Sequence, residues 1–105
     1  MHNEYVMPKG VDNIVRSLCA DYFRRSSVIA ERSAPYTVIM EYRFLNYRIM
    51  NATLEIVGSR DALAIISDIG KNRGYAKSES LFSEKTYKKQ KDAVKRNIAR
   101  RLSLW

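Results

Sequence analysis

The stretch from Tyr36 to Val57 sets the strongest limit on how this chain can fold. Val38, Tyr42, Leu45, Ile49, Ala52 and Ile56 recur at the period of an α-helix for more than five turns. Phe44, Tyr47, Met50, Leu54 and Val57 add apolar cover on other sides. A helix that is apolar on more than one side is normally central, so 36–57 is expected to be the scaffold for the other helices, or a dimer face. The segment TVIMEY has local strand preference, but the sustained period near 3.6 outweighs it.

The flanking segments read as helices too. From Val11 to Ser33 one helix is expected, with Val11, Val15, Leu18, Tyr22 and Ile29 inward, Ile14 and Cys19 widening the stripe, and Arg16, Asp21, Arg24 and Arg25 away from it. Ser33-Ala34-Pro35 stops it. Gly58-Ser59 breaks the chain again and opens a short helix, Arg60 to Ile69. Its Ala62, Leu63, Ile65, Ile66 and Ile69 point inward, and Gly70 is the expected stop. A dozen polar and basic residues follow. They are read as a loop that orders on a partner, or as one holding a helical turn between Tyr75 and Leu81, with Leu81 and Phe82 as a hydrophobic staple under the last helix.

That last helix carries the functional signal. Ser83 is its N-cap, and Glu84 complements the dipole of its first turn. Tyr87, Val94, Ile98, Leu102 and Trp105 form one stripe, and Lys85, Lys89, Arg96 and Arg100 stand opposite. Residues 82–105 hold eight of the nineteen Lys and Arg against two acids, and so carry six of the net eight positive charges. A charged face of this kind attracts polyanions over about 8 Å at physiological salt. A membrane-surface helix is disfavoured because Lys91 and Arg101 interrupt the apolar side. Single strands are disfavoured because Tyr87 and Trp105 lie on that apolar side, away from the charges.

Composition closes off other classes. Four Gly and two Pro in 105 residues are too few for a strand-and-turn architecture, so the fold is expected to be all-α, a single domain of about four helices. Residues 11–57 are the scaffold or dimerisation half, and 58–105 the nucleic-acid half. One Cys and one His leave no disulfide framework and no zinc site, and no nucleophile–base pair or phosphate loop is visible. The chain is therefore read as a non-enzyme without cofactor or metal. The single cysteine fits a reducing compartment, the cytoplasm, and no apolar run is long enough to span a membrane.

A short capped helix, a connection and a basic helix together outline a helix-turn-helix reader. In that geometry Lys85, Lys88, Lys89 and Asp92 lie near bases or flanking phosphates, with Lys95, Arg96 and Arg100 further along the backbone. Thr86 meets a phosphate or a thymine methyl, and Lys71, Arg73 and Lys77 add phosphate contacts. The stretch 83–102, with Ser83, Glu84, Lys85, Thr86, Tyr87, Lys91, Ala93, Ala99 and Leu102, resembles the recognition segment of ArpU-type phage regulators of late transcription, relatives in fold of sigma-factor region 4. The resemblance covers about a fifth of the chain; the connection from Gly70 to Ser83 is longer than the tight turn of that motif. It implies an all-helical, dimeric, double-stranded DNA-binding protein of phage or prophage origin, working with RNA polymerase or another protein. The alternative is a helical interaction module, such as a phage-encoded inhibitor, that sets its basic face on an acidic protein surface.

Overall fold

A computed structural model describes residues 6–78, 80 and 82–105. Among these the regular structure is helical, with no strand: α1 (Lys9–Ala20), α2 (Tyr22–Glu31), α3 (Tyr36–Leu54), α4 (Ser59–Gly70), a 3-10 turn (Tyr75–Lys77) and α5 (Glu84–Arg101). The molecule measures 41 × 36 × 21 Å. Its thin dimension is about two helix diameters, so the helices form two layers. Residues 1–5, with the single histidine His2, lie outside the described residues, as does the Leu81 half of the expected staple.

The helix expected over 11–33 is two helices. Asp21, at φ −93° and ψ −1°, turns the chain out of the ladder, and this redirects α2 onto α3 while α1 packs on α4 and α5. The break frees backbone carbonyls inside the protein, where an unpaired acceptor is costly. Arg25 closes the gap. It was expected away from the apolar stripe, yet it is 2% exposed. Its Nε donates to Asn46 Oδ1 at 2.7 Å, and its Nη2 donates to the Leu18 carbonyl, the group an unbroken helix would pair with the Tyr22 amide. Asn46 Nδ2 in turn donates to the Tyr22 carbonyl at 3.1 Å. Burial pushes the Arg25 guanidinium below its ordinary range, and the Asp21 carboxylate opposes that shift.

α3 is the central element, with a rotated inner face. Ile39, Asn46, Ile49, Ala52 and Thr53 are buried, whereas Val38, Tyr42 and Leu45 are half-buried and Ile56 is exposed. Asn46 shifts the stripe because its amide is needed against Tyr22 and Arg25. The helix ends at Leu54, and the following turn carries Val57 back into the core through its amide bond to the Thr53 carbonyl, 3.0 Å.

α4 ends at Gly70 as expected, but Gly70 is not the left-handed residue that closes it. That position is Asn72, at φ 53°, with the Arg73 amide bonded to the Asp68 carbonyl at 2.8 Å. Gly70 is required elsewhere: a Cβ there would stand 2.6 Å from both Cα and N of Ala20, where α1 crosses α4. Leu63, expected inward, is half exposed, and Asp68 takes an inner position instead. The core joins Val15, Cys19 and Tyr22 to Ile49, Ala52, Ile65, Ile66 and Ile69, and to Tyr87, Val94, Ile98 and Ala99 of α5. Leu104 and Trp105 pack on its edge. Cys19 is fully buried, and desolvation pushes its thiol up to about 12, so it is an inert packing residue.

Candidate nucleic-acid interface

The core fixes α5 in space before its outer side is considered. Ser83 Oγ accepts the Thr86 amide at 3.3 Å and caps the helix as expected. Tyr87, one turn in, is buried, and its hydroxyl donates to Asp68 Oδ2 of α4 at 2.8 Å. Burial first, and then this carboxylate, push the phenol well above its ordinary range. The Tyr75 ring of the connection packs against Tyr87, with centroids 5.6 Å apart, and its hydroxyl donates to the Phe82 carbonyl at 2.8 Å. At the other end Asn97 donates to the Ala52 carbonyl at 2.8 Å, and Arg101 pairs with Glu55. The helix is pinned at both ends, so its outer side is a rigid surface.

Of the expected contact residues, Lys85, Lys89, Arg96 and Arg100 occupy that outer side together. Lys85, Lys89 and Arg100 are exposed and Arg96 is half-buried. The Arg100 guanidinium lies 5.4 Å from the Trp105 ring centroid, which holds it beside the C-terminus. Thr86 is exposed, with its hydroxyl 3.0 Å from that of Ser83. Lys88 is exposed and paired with Glu84 at 3.0 Å, an interaction weak enough to yield to a phosphate.

Lys95 departs from expectation. Its side chain is 15% exposed and sits 3.1 Å from Asp12 of α1 and 3.7 Å from Asp92. It ties α5 to α1, because the inner edge of α5 faces Asp12 in the first turn of α1. Asp92 lines an open groove of about 640 Å³ with Val6, Pro8, Lys9, Asp12 and Arg96.

The connection meets α5 on its packed side. Lys91 Nζ donates to the Arg73 carbonyl, and burial, with Lys95 beside it, lowers the Lys91 ammonium below its ordinary range. Lys71 and Lys77 are exposed and Arg73 is half-buried. Of the three, Arg73 is held to α5 through its carbonyl on Lys91, away from the outer row. α4 packs chiefly on α1, and α5 on α3 and α1. Tyr87 and Asp68 provide the hydrogen bond that joins α4 to α5.

The apolar cover expected on the other sides of α3 is left uncovered at Phe44, Tyr47 and Leu54, and Tyr36 and Met40, which sequence reasoning did not assign to it, join them on the exposed side. The chain matches no family model, no curated protein and no solved structure. Its function is therefore read from its own geometry. No helix among the described residues is long and apolar enough to cross a membrane.

Proposed function

We propose that this chain is a sequence-specific double-stranded DNA-binding regulator of transcription, of phage or prophage origin, that lays the outer side of α5 on the duplex. The observation that carries the reading is the row Lys85, Lys89, Arg96 and Arg100 on a helix whose other side is locked into the core. The row spans about 22 Å at 1.5 Å per residue, and a helix fits the major groove, about 12 Å wide. Thr86 and Lys88 flank the row near the N-terminal end of α5, the end that meets base edges when a recognition helix docks, and Asp92 lies within the row at mid-helix. The resemblance of 83–102 to phage late regulators supports the choice of a regulator over a non-specific binder. In this reading the protein acts in the cytoplasm as a homodimer, alongside RNA polymerase or another protein on the same DNA.

The test is fluorescence anisotropy on duplex DNA at several salt concentrations, beside a variant with Lys85, Lys89, Arg96 and Arg100 changed to Gln. Four neutralised phosphates give a slope of about −3.6 in log K against log salt. Affinity then falls about 150-fold between 50 and 200 mM salt. The variant should keep its helical circular dichroism and lose both affinity and slope. Weak binding that the folded variant shares would reject the reading in favour of a protein-interaction module.

A further inference from the structure

We propose that the outer side of α3 is the surface through which two copies of this chain pair, antiparallel, about a two-fold axis near Phe44. The proposal names the surface for the homodimer that the DNA reading includes, and its test does not depend on DNA binding. Tyr36, Met40, Phe44, Tyr47 and Leu54 are 75%, 43%, 58%, 67% and 40% exposed, and their spacing sets them along one side of the helix, opposite Ile49 and Ala52. Scattered exposed apolar residues are normal, but a row of this size on a small protein, interrupted by Arg43 and Asn51, marks a contact surface. At about 200 Å² per aromatic side chain, the exposed parts of the three rings offer about 400 Å². That is half of the roughly 800 Å² per partner of a standard interface, before Met40, Leu54 and the flanks are added.

The composition of the row separates it from the DNA-facing side. α3 has no lysine and carries only Glu41, Arg43 and Arg48 as charged residues, whereas α5 carries five lysines. Aromatic residues, Met and Arg are enriched at protein interfaces, and Lys is depleted there. Glu41 takes part in no ion pair among the described residues. Arg48 is held at the edge of the row, with its guanidinium 4.3 Å from the Phe44 ring centroid and Nη1 donating to the Arg101 carbonyl at 3.1 Å.

A second copy satisfies both features. Glu41 and Arg48 are seven residues apart and so share one flank of α3. Antiparallel pairing about a point between Phe44 and Leu45 brings Glu41 of each copy opposite Arg48 of the other, twice by symmetry. The same register sets Phe44 against its symmetry mate, Tyr36 against Leu54 of the second copy, and Met40 of the second copy at the mouth of the groove between Tyr47, Asn51 and Arg101, about 330 Å³ in volume.

Sedimentation or light scattering of the intact chain across a concentration series tests this, with far-UV circular dichroism on every variant. A concentration-dependent dimer is expected. Phe44→Glu with Tyr47→Glu should be monomeric and still helical, because both side chains face solvent in the single chain. Glu41→Arg alone should weaken the dimer about tenfold by turning two attractive contacts repulsive, and Glu41→Arg with Arg48→Glu should restore it. A wild-type monomer at every concentration would overturn the proposal, as would a dimer that survives Phe44→Glu with Tyr47→Glu. A monomer whose tyrosine fluorescence is quenched by single-stranded oligonucleotide would likewise overturn it and assign the aromatic row to base stacking.

Discussion

Replacing Gly70 by alanine sets two effects of known sign against each other. In an ordinary helix the change stabilises by up to about 1 kcal/mol, because glycine loses more backbone entropy on folding. Here the new methyl would stand 2.6 Å from Cα and N of Ala20 and 2.9 Å from the Cys19 carbonyl carbon. Carbon contacts are optimal at about 3.5–4.0 Å, so α1 and α4 must separate by about 1 Å. The obstacle is backbone and cannot swing aside as a side-chain end would. Val15, Cys19, Ile66 and Ile69, all fully or almost fully buried, pack in the core close to this crossing, and separation loosens them. Overpacking costs about 1–3 kcal/mol, and a backbone clash belongs at the top of that range, leaving a net loss of about 2 kcal/mol. For a domain of this size that lowers Tm by about 10 °C. Thermal melts followed by circular dichroism would measure it, with Gly10→Ala as control, because a Cβ at Gly10 meets nothing within 4 Å. The control should melt at or slightly above wild type. If Gly70→Ala does the same, the close crossing of α1 and α4 is wrong.

The remaining predictions address the polar groups that hold the bundle and aim α5. Tyr87→Phe removes the hydroxyl donor from the buried Asp68 carboxylate and should cost about 1.5–3 kcal/mol in urea unfolding; an unchanged midpoint would mean that the bond does not anchor α5. Arg25→Lys should cost about 2 kcal/mol or more, since an ammonium cannot reproduce the guanidinium fork that serves Asn46 and the Leu18 carbonyl together. A wild-type melt for that variant would remove Arg25 from the account of the α1–α2 break. Acid should weaken the fold below about pH 4. Asp21, hydrogen-bonded by Arg24, and Glu55, hydrogen-bonded by Arg101 and Asn97, titrate below their unfolded values of about 3.9 and 4.3. Their contribution is complete above those values and lost as pH falls through the lower folded ones. Because both carboxylates face solvent the loss should be small and screened by salt, and Tm measured against pH at two ionic strengths would show no salt dependence if these pairs contribute nothing.

What the sequence determined by itself was whatever local chemistry repeats. The helical period that starts at Tyr36 and runs in the structure to Leu54, the breaks near 33–35 and 58–59, the Ser83 cap and the sidedness of α5 all depend on residues within a turn or two of one another, and all are present in the structure. Side chains whose place depends on a distant segment were decided only by the tertiary structure. Arg25 reads as a surface residue until the break at Asp21 leaves a carbonyl that needs a donor. Lys95 reads as part of the basic face until Asp12 of α1 is folded against it. Gly70 reads only as a helix stop, which it is, and the need for a glycine there shows only when the backbone of Ala20 is folded against it. The stripe of α3 was rotated for the same reason: Asn46 had to turn inward to serve α2, and the rings of Phe44 and Tyr47 were turned out. Period and capping are set by neighbours along the chain, whereas the pairing of a buried charge or the clearance of a glycine is set by whatever the fold brings across from another helix.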